Sequence, residues 1–367
     1  MANHSETIRS FHETKNFGTR ENLLRRSQEA HAAYRAISNS EIRPLVEAVL
    51  NHAEPEDAIL TNLACFQPGS LVPFHDQFIE KGLFYPGLIF HEASEQTTEK
   101  LVALIDSSPD QLLLNHLLTC VAWAGNQAAQ KAFARWKAET PVWVSDLHVP
   151  PEAYAAVAGW ELTAAGTRRD LFTRTAFPLV APGTAPDVLG VTVGTPSKQT
   201  CPWCSRRLVS VLDIDPDSQA LKSLKWQSGP FQVLTCDVCC CFGTVFSQKS
   251  AAGDQQWHPA NSRPDYLPND AAEWDPVPEH ALVLSGETRH FMTSANWLIV
   301  AGVSFSQVGG LPTWVQDAEY PPCPDCSATM QFIGQVSNED YDSFREGIYY
   351  CFVCFDCGVT ATSYQQS

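Results

Sequence analysis

The first 140 residues alternate short amphipathic segments with polar breaks. Ser38 and Glu41 form a capping-box pattern, and Leu45, Val46, Val49 and Leu50 follow it at helical spacing. Similar spacing predicts helices over 56–64 and 95–105, over a segment from the start signal Ser108-Pro109-Asp110 to Gly125, and over 127–137. We therefore expect a helical, repeat-like module over residues 1–140, in which no fixed repeat period is found.

The pattern changes over residues 141–184, which we interpret as a transitional hairpin and linker. Trp160-Glu161-Leu162 and Leu171-Phe172-Thr173 flank the turn-forming Ala165-Gly166-Thr167, and Arg168-Arg169-Asp170 is interpreted as a solvated patch. Three prolines and a glycine within 178–186 mark a domain boundary. Strand-like alternation follows over 185–367, interrupted by a polar, proline-rich insertion at 251–279. Trp257 and Trp274 indicate that this insertion packs on another surface.

The strand-rich region contains cysteines in Cys-x-x-C pairs. Two pairs flank a strand pattern at 201–239, and two more do so at 323–357. Zn²⁺ prefers four soft ligands in a tetrahedron, and each Cys-x-x-C turn offers two thiolates. The sequence therefore predicts two structural zinc ions, one held by Cys201, Cys204, Cys236 and Cys239 and the other by Cys323, Cys326, Cys354 and Cys357. Three neighbours stay open as alternative ligands, namely Cys240, Cys241 and Cys351.

The two cysteine segments align as an internal duplication. Residues 208–213 fall against 330–335, and the run ending in Gln248 falls against the run ending in Gln365. Gly358, directly after Cys357, is expected to relieve crowding at a turn. The predicted fold class is α+β: a helical N-terminal module followed by a duplicated, mainly antiparallel β domain with two zinc-ribbon-like knuckle sites of four cysteines each.

The composition and net charge of the chain indicate its cellular location and the kind of partner it binds. The chain has 367 residues, 44% hydrophobic and 18% charged, as expected for a folded protein. Its polar start and the lack of a long apolar run predict a cytoplasmic protein without a membrane association, in which thiolates on zinc are favoured over disulfides. Residues 179–367 carry 9 basic and 20 acidic side chains, a net charge of −11. This sign disfavours nucleic acid and favours a basic protein partner, unless the acidity only aids solubility.

One segment before the last cysteine pairs carries a family resemblance. Phe305-Ser-Gln-Val-Gly-Gly-Leu-Pro-Thr-Trp-Val-Gln316 resembles the G-x-P-x-W-[IV]-Q segment of the bacterial YwqG-like proteins. It also resembles programmed cell death protein 2 of eukaryotes, where a Gly-Gly-x-Pro element precedes paired cysteine knuckles. The resemblance covers about residues 185–367, is strongest from Phe305 onward, and is weaker over the first knuckle pair and the insertion.

The resemblance implies a duplicated β fold with cysteine knuckles and a role in binding proteins. Relatives of the YwqG type imply an accessory or immunity protein of a toxin system, and the cell-death relative implies a chaperone for a ribosomal client. Neither implies a catalytic residue. Independently of any family, Gly309-Gly310 allows a tight turn, and Trp314 is expected to anchor a strand or, alternatively, to line a binding groove.

Motifs of known catalytic chemistry are missing from the sequence: it contains no H-E-x-x-H, no G-x-S-x-G, no Walker-type loop and no G-x-G-x-x-G before a helix. We therefore expect a non-enzymatic protein-binding protein, an immunity protein that neutralises a bacterial toxin. The alternatives are a chaperone or assembly factor for a basic client such as a ribosomal protein, and an enzyme with an unrecognised site. The candidate partner-binding residues are Asp213, Asp215, Asp217, Trp257, Trp274 and Trp314.

Overall fold

The computed structural model describes residues 3–52, 57–107, 110–184, 188–227, 229–268, 277–297, 300, 302–342 and 345–367. The chain divides into two compact units. One comprises Met1–Asp170 and Leu298–Val303, and the other comprises Leu171–Trp297 and Ser304–Ser367. The three regions inferred from the sequence, 1–140, 141–184 and 185–367, stay a prediction.

The first unit is built from helices. They are α1 (His4–Glu13), α2 (Arg20–Ala36), α3 (Asn39–Leu50), α4 (Asp57–Phe66), α5 (His75–Glu80), α6 (Glu95–Ser107), α7 (Gln111–Ala124) and α8 (Gln127–Glu139). Short 3-10 turns connect or follow them at Val72–Phe74, Gly87–Phe90, Val142–Asp146 and Pro151–Ala158. Aromatic side chains fill the core, among them the fully buried Tyr34, Phe90, Phe133, Trp136 and Trp160.

The predicted helix starts agree with the observed ones where these are described, whereas α4, α6 and α8 each run two residues beyond their predicted ends at 64, 105 and 137. The capping box of Ser38 and Glu41 begins α3, and the Ser94 hydroxyl accepts from Thr97 N at 3.0 Å before α6. Asp110 caps α7 through Leu113 N at 2.7 Å, whereas Ser108 and Pro109 lie outside the described residues. The helix ends at Gly125, whose backbone is in the left-handed conformation. Glycine adopts this conformation at low cost because it has no Cβ.

The small hairpin of the first unit pairs β1 (Trp160–Leu162) with β2 (Arg168–Asp170). The predicted second strand at 171–173 was wrong, because Arg168–Asp170 forms it. The side chains of this patch stay partly exposed, that of Arg169 by 42%, while they also pair across the hairpin. Arg169 lies opposite Glu161, with Nε to Oε1 at 2.8 Å, and Arg168 lies over the Trp160 ring at 5.3 Å. Cross-strand ion pairing and burial of the arginine stems place these polar residues in the strand.

The second unit is mainly antiparallel β-sheet. Its strands are β3 (Thr173–Val180), β4 (Val191–Thr200), β5 (Arg207–Ile214), β6 (Phe231–Thr235), β7 (Val245–Lys249), β8 (Gln255–Trp257), β9 (Val283–Leu284), β10 (Arg289–His290), β11 (Gln307–Gly310), β12 (Gln331–Ser337), β13 (Ile348–Cys354) and β14 (Val359–Gln365). One sheet has the order β10-β3-β11-β12-β13-β14-β7-β8, with β9 also on β3, and a three-stranded sheet has the order β4-β5-β6. The predicted α+β fold class is confirmed.

The two cysteine-bearing copies meet within the larger sheet. Strand β5 and strand β12 occupy the segments that the sequence aligned, each between a first and a second knuckle. The strands that follow the second knuckles, β7 and β14, pair with each other, with Ser247 opposite Thr360. An apolar core combines residues of both copies, including Val211, Leu212, Ile333 and Val353. The knuckles therefore sit at the ends of strands held by a common core.

Candidate metal centres

The first cysteine group consists of Cys201, Cys204, Cys236 and Cys239, whose sulfur atoms all lie within 4.8 Å of one another. Cys201 directly follows β4, and Cys236 directly follows β6. The sulfurs of Cys201 and Cys239 are 3.7 Å apart, and those of Cys204 and Cys236 are 3.5 Å apart. Two strand ends of one sheet thus bring the predicted ligands together.

The second cysteine group consists of Cys323, Cys326, Cys354 and Cys357, also with sulfurs within 4.8 Å of one another. Cys354 is the last residue of β13, and Cys357 lies just before β14. The sulfurs of Cys326 and Cys354 are 3.6 Å apart. The antiparallel pair β13–β14 presents one knuckle at its turn, and the segment leading into β12 presents the other.

Both groups fit zinc. Zn–S bonds of about 2.3 Å in a tetrahedron require sulfurs roughly 3.8 Å apart, close to the observed 3.5–3.7 Å. All thirteen cysteines are free of disulfides. A zinc ion in either group would cross-link two strand ends, and four thiolates would fill its shell. The geometry therefore supports two structural zinc ions.

Three of the four knuckles share one backbone turn. Ser205, Ser327 and Gly358 follow the second cysteine of their pairs, with positive φ angles of 62°, 63° and 70°. Each donates its N–H to the carbonyl of the first cysteine, at 2.9, 2.8 and 2.8 Å. A Cβ built on Gly358 would have no atom within 4 Å, so the expected relief of crowding is wrong, and glycine suits this position through its positive φ alone. The two serines were missed, although both follow a Cys-Pro-x-Cys motif in the sequence.

The fourth knuckle turns differently. Cys240 donates its N–H to the carbonyl of Cys236 at 3.0 Å, but the chain continues into a 3-10 turn over Cys239–Phe242. Cys240 and Cys241 point their thiols at the Asp237 carbonyl, at 3.6 and 3.5 Å. These two residues and Cys351, which is buried in β13, therefore stand outside both cysteine groups.

The thiols within each group perturb one another. Hydrogen bonds from Cys236 and then Cys239 lower the pKa of Cys201 to about 4, whereas the contact with Cys201 raises the pKa of Cys236 and of Cys239. In the second group the Ala328 backbone, with Cys357 and Cys354, lowers the pKa of Cys326. Each group therefore contains one thiol whose pKa is lowered, which favours binding of a soft cation.

The third residue of each Cys-Pro-x-Cys motif is in contact with the same short segment. The Trp203 ring meets the Trp257 ring edge-on at 4.9 Å, and the buried His258 places Nε2 3.2 Å from Asp325 Oδ1. His258 Nδ1 accepts from Ala260 N at 3.1 Å, so Nε2 is the donor to Asp325. Successive residues at the end of β8 thus support one knuckle of each cysteine group.

The predicted acidic partner site is dispersed over a strand end and a turn. Asp213 is half-buried in β5, whereas Asp215 and Asp217 are exposed. Asp217 N donates to Asp215 Oδ1 at 3.1 Å, and Gly229 N donates to Asp217 Oδ2 at 3.0 Å. Two of the three aspartates therefore organise local turns, which a sequence pattern alone does not reveal.

Two of the three candidate tryptophans are described, and both pack against the protein. Trp257 is half-buried against Trp203, as expected for an insertion that covers another surface. Trp314 packs on Tyr350 at 4.7 Å and Tyr320 at 5.3 Å, which agrees with the anchoring role rather than a groove. The preceding Gly309 has a φ of +72°, and a Cβ there would lie 2.5 Å from Thr175 O. Trp274 lies outside the described residues.

Comparison with known proteins shows the family of this chain but does not indicate an activity. No protein-family model and no solved structure matches the chain. Within the described ranges, no helix has both the length and the apolar character needed to span a bilayer. The chain is 34% identical over 345 residues to the uncharacterised protein YpfL of Salmonella typhimurium strain LT2, across 91% of this chain and 79% of that protein. The chain therefore belongs to the YpfL family.

Proposed function

We propose that this protein is a non-enzymatic, zinc-stabilised binding protein for a basic protein partner in the cytoplasm. The observation that carries the proposal is the closed character of both cysteine groups. Catalytic zinc keeps a position for water or substrate, whereas four thiolates leave none. The chemistry of these groups therefore lies in holding strand ends together.

The charge distribution supports the class of partner. The region 179–367 has a net charge of −11, which repels phosphate backbones and attracts basic surfaces. Electrostatic attraction of this kind acts mainly on the association rate. A basic partner should therefore associate more slowly as salt rises, while dissociation changes less.

Two kinds of basic partner fit the proposal. The YwqG-like resemblance favours a toxin, for which this chain would be the immunity protein. The resemblance to programmed cell death protein 2 favours a ribosomal protein, for which it would be a chaperone. The acidic region suits a basic toxin and a basic ribosomal protein equally.

The test is affinity capture of the tagged, zinc-loaded full chain from its own cells, with cross-linking and mass spectrometry. We expect one basic protein, whose association with the purified chain slows with salt. A toxin supports the immunity role, and a ribosomal protein supports the chaperone role. Capture of acidic partners only, or turnover of a small substrate by the zinc-loaded chain, would overturn the proposal in favour of the enzyme alternative.

A further inference from the structure

A cavity of about 370 Å³ lies between the three-stranded sheet and the β7–β8 hairpin of the second unit. Thr192, Asp213 and Gln232 line it side by side on adjacent strands. Lys249 and Gln255 line it from opposite positions in the hairpin. Its volume falls in the range of about 300–1,000 Å³ typical of ligand sites. The cavity is separate from the cysteine groups, since none of their residues lines it.

Gln255 supplies a fixed acceptor in this cavity. It is 5% exposed, and its Nε2 donates to Ser247 Oγ at 2.9 Å and to Thr360 Oγ1 at 3.0 Å. Both amide hydrogens are thereby used, and Oε1 accepts no hydrogen bond from the described residues. A buried amide held in place with an unused carbonyl oxygen points to a ligand that donates a hydrogen bond.

Asp213 and the exposed Asp215, which both line the cavity, supply negative charge. Asp213 Oδ1 accepts from Ser210 Oγ at 2.6 Å, and the other oxygen of Asp213 has no partner within the described ranges. Val191, Ile214 and Phe231 also line the cavity, but they alternate with Thr192, Asp213 and Gln232 along their strands, so their side chains face the apolar core on the other side of the sheet. A carboxylate and an amide carbonyl on the wall of one cavity match a cationic group that donates hydrogen bonds.

We propose that this cavity receives the side chain of a lysine from the protein partner, with its ammonium group between Asp213 and Gln255. The inference rests on the proposed binding function and places the contact at one site. Lysine suits the cavity better than arginine because Asp213 Oδ1 is already occupied by Ser210, whereas a guanidinium binds best to two free carboxylate oxygens. An ammonium donates three separate hydrogen bonds instead.

Lys249 places a positive charge at the wall of the cavity. Its Nζ donates to the Pro230 carbonyl at 2.6 Å, which ties it to the cavity wall. Its charge weakens the attraction for a second cation, and its removal should strengthen binding. Asp217 offers a matched control, because it lies in the same acidic stretch but does not line the cavity.

The experiment titrates capped Gly-Lys-Gly, Gly-Gln-Gly, Gly-Arg-Gly and Gly-Glu-Gly peptides into the zinc-loaded full chain, by saturation-transfer NMR. The lysine peptide should bind most tightly. Asp213→Asn, which keeps the acceptor for Ser210, should weaken it about tenfold or more, as expected for loss of a charge-assisted hydrogen bond. Lys249→Met should tighten it about threefold. Asp217→Asn should leave it within about twofold, since asparagine keeps an oxygen that can accept from Gly229 N and only long-range charge is lost.

Several results would overturn the inference. Equal binding of the lysine and glutamine peptides, or no binding at all, would exclude an ammonium site. Arginine binding as tight as lysine binding would exclude the geometry. A preference for the glutamate peptide that Lys249→Met abolishes would make the cavity an anion site. Equal losses in Asp213→Asn and Asp217→Asn would assign the effect to overall charge.

This test is independent of partner capture. If the captured partner binds Asp213→Asn as tightly as the wild type, the cavity proposal fails and the binding function stands. If the lysine peptide binds as expected and no partner is found, the binding function fails instead. Circular dichroism and the melting temperature of each variant show whether it is folded.

Discussion

The two cysteine groups share a motif and a backbone turn, yet they lie in different surroundings. In the first group Cys201, Cys236 and Cys239 are buried, and Leu267 and Trp257 of the 251–279 insertion pack against them. In the second group Cys326 and Cys357 are exposed. Both groups have four cysteine ligands, but residues of the 251–279 insertion pack against the first group. The first site is thereby enclosed, whereas the second is half-exposed, since only its Cys323 and Cys354 are buried in a core.

The comparison predicts unequal losses when equivalent ligands are removed, and this is the largest effect we expect. Structural zinc contributes an apparent binding free energy of about 10–16 kcal/mol, while whole domains are stable by about 5–15 kcal/mol. Cys236→Ser should therefore abolish cooperative thermal unfolding. Cys354→Ser, at the equivalent position, should lower the melting temperature steeply and reduce soluble yield while leaving a folded protein.

Zinc analysis and thermal denaturation check this prediction. The wild type, purified without oxygen, should hold two zinc ions per chain, and Cys354→Ser should hold one. Fewer than one equivalent in the wild type would contradict both metal sites. A Cys354→Ser protein of unchanged stability that no longer binds its partner would show that the second zinc site serves function rather than structure.

Zinc release separates the two groups by rate. Exposed thiols are open to attack by a chelator, whereas buried thiols must wait for local opening. A chromogenic chelator should remove one equivalent at least about tenfold faster than the other, a difference of about 1.4 kcal/mol in barrier height. In Cys354→Ser the fast phase should be missing. A single phase in the wild type would mean that both sites open together.

Sequence reasoning found the ligands because their spacing is local. Each knuckle is a four-residue unit, and a helix cap such as Ser38 is likewise recognised from the residues next to it in the sequence. The hairpin partner of β1 depended on Arg169 meeting Glu161, which only the paired strands show. Likewise, Val300 N donates to Asn62 Oδ1 at 3.0 Å, which joins a distant segment to the helical unit. Contacts between residues far apart in sequence decide such features, as they do for the Gln255 cavity.

The contacts at the end of β8 should affect the two groups separately. Trp257→Ala removes half-buried aromatic area from the first group and should cost about 2 kcal/mol. Asp325→Ala removes one hydrogen bond with His258 beside the second group and should cost about 1 kcal/mol. Each variant should accelerate zinc release from its own group only. Acceleration of both phases by either variant would show that the groups are coupled through this segment.

The smallest expected effect concerns the shared turn of the second group. Ser327 and Gly358 occupy equivalent left-handed positions, with φ angles of 63° and 70°, and no atom lies within 4 Å of a Cβ built on Gly358. Gly358→Ser therefore adds backbone strain without a clash and should cost about 1 kcal/mol. Ser327→Gly relieves the same strain and should gain somewhat less, because glycine also increases the entropy of the unfolded chain. The double variant exchanges the two residues and should melt near the wild type, with single variants shifted by about 2–4 °C per kcal/mol. If Ser327→Gly destabilises the protein instead, the serine side chain contributes to the knuckle beyond its backbone conformation.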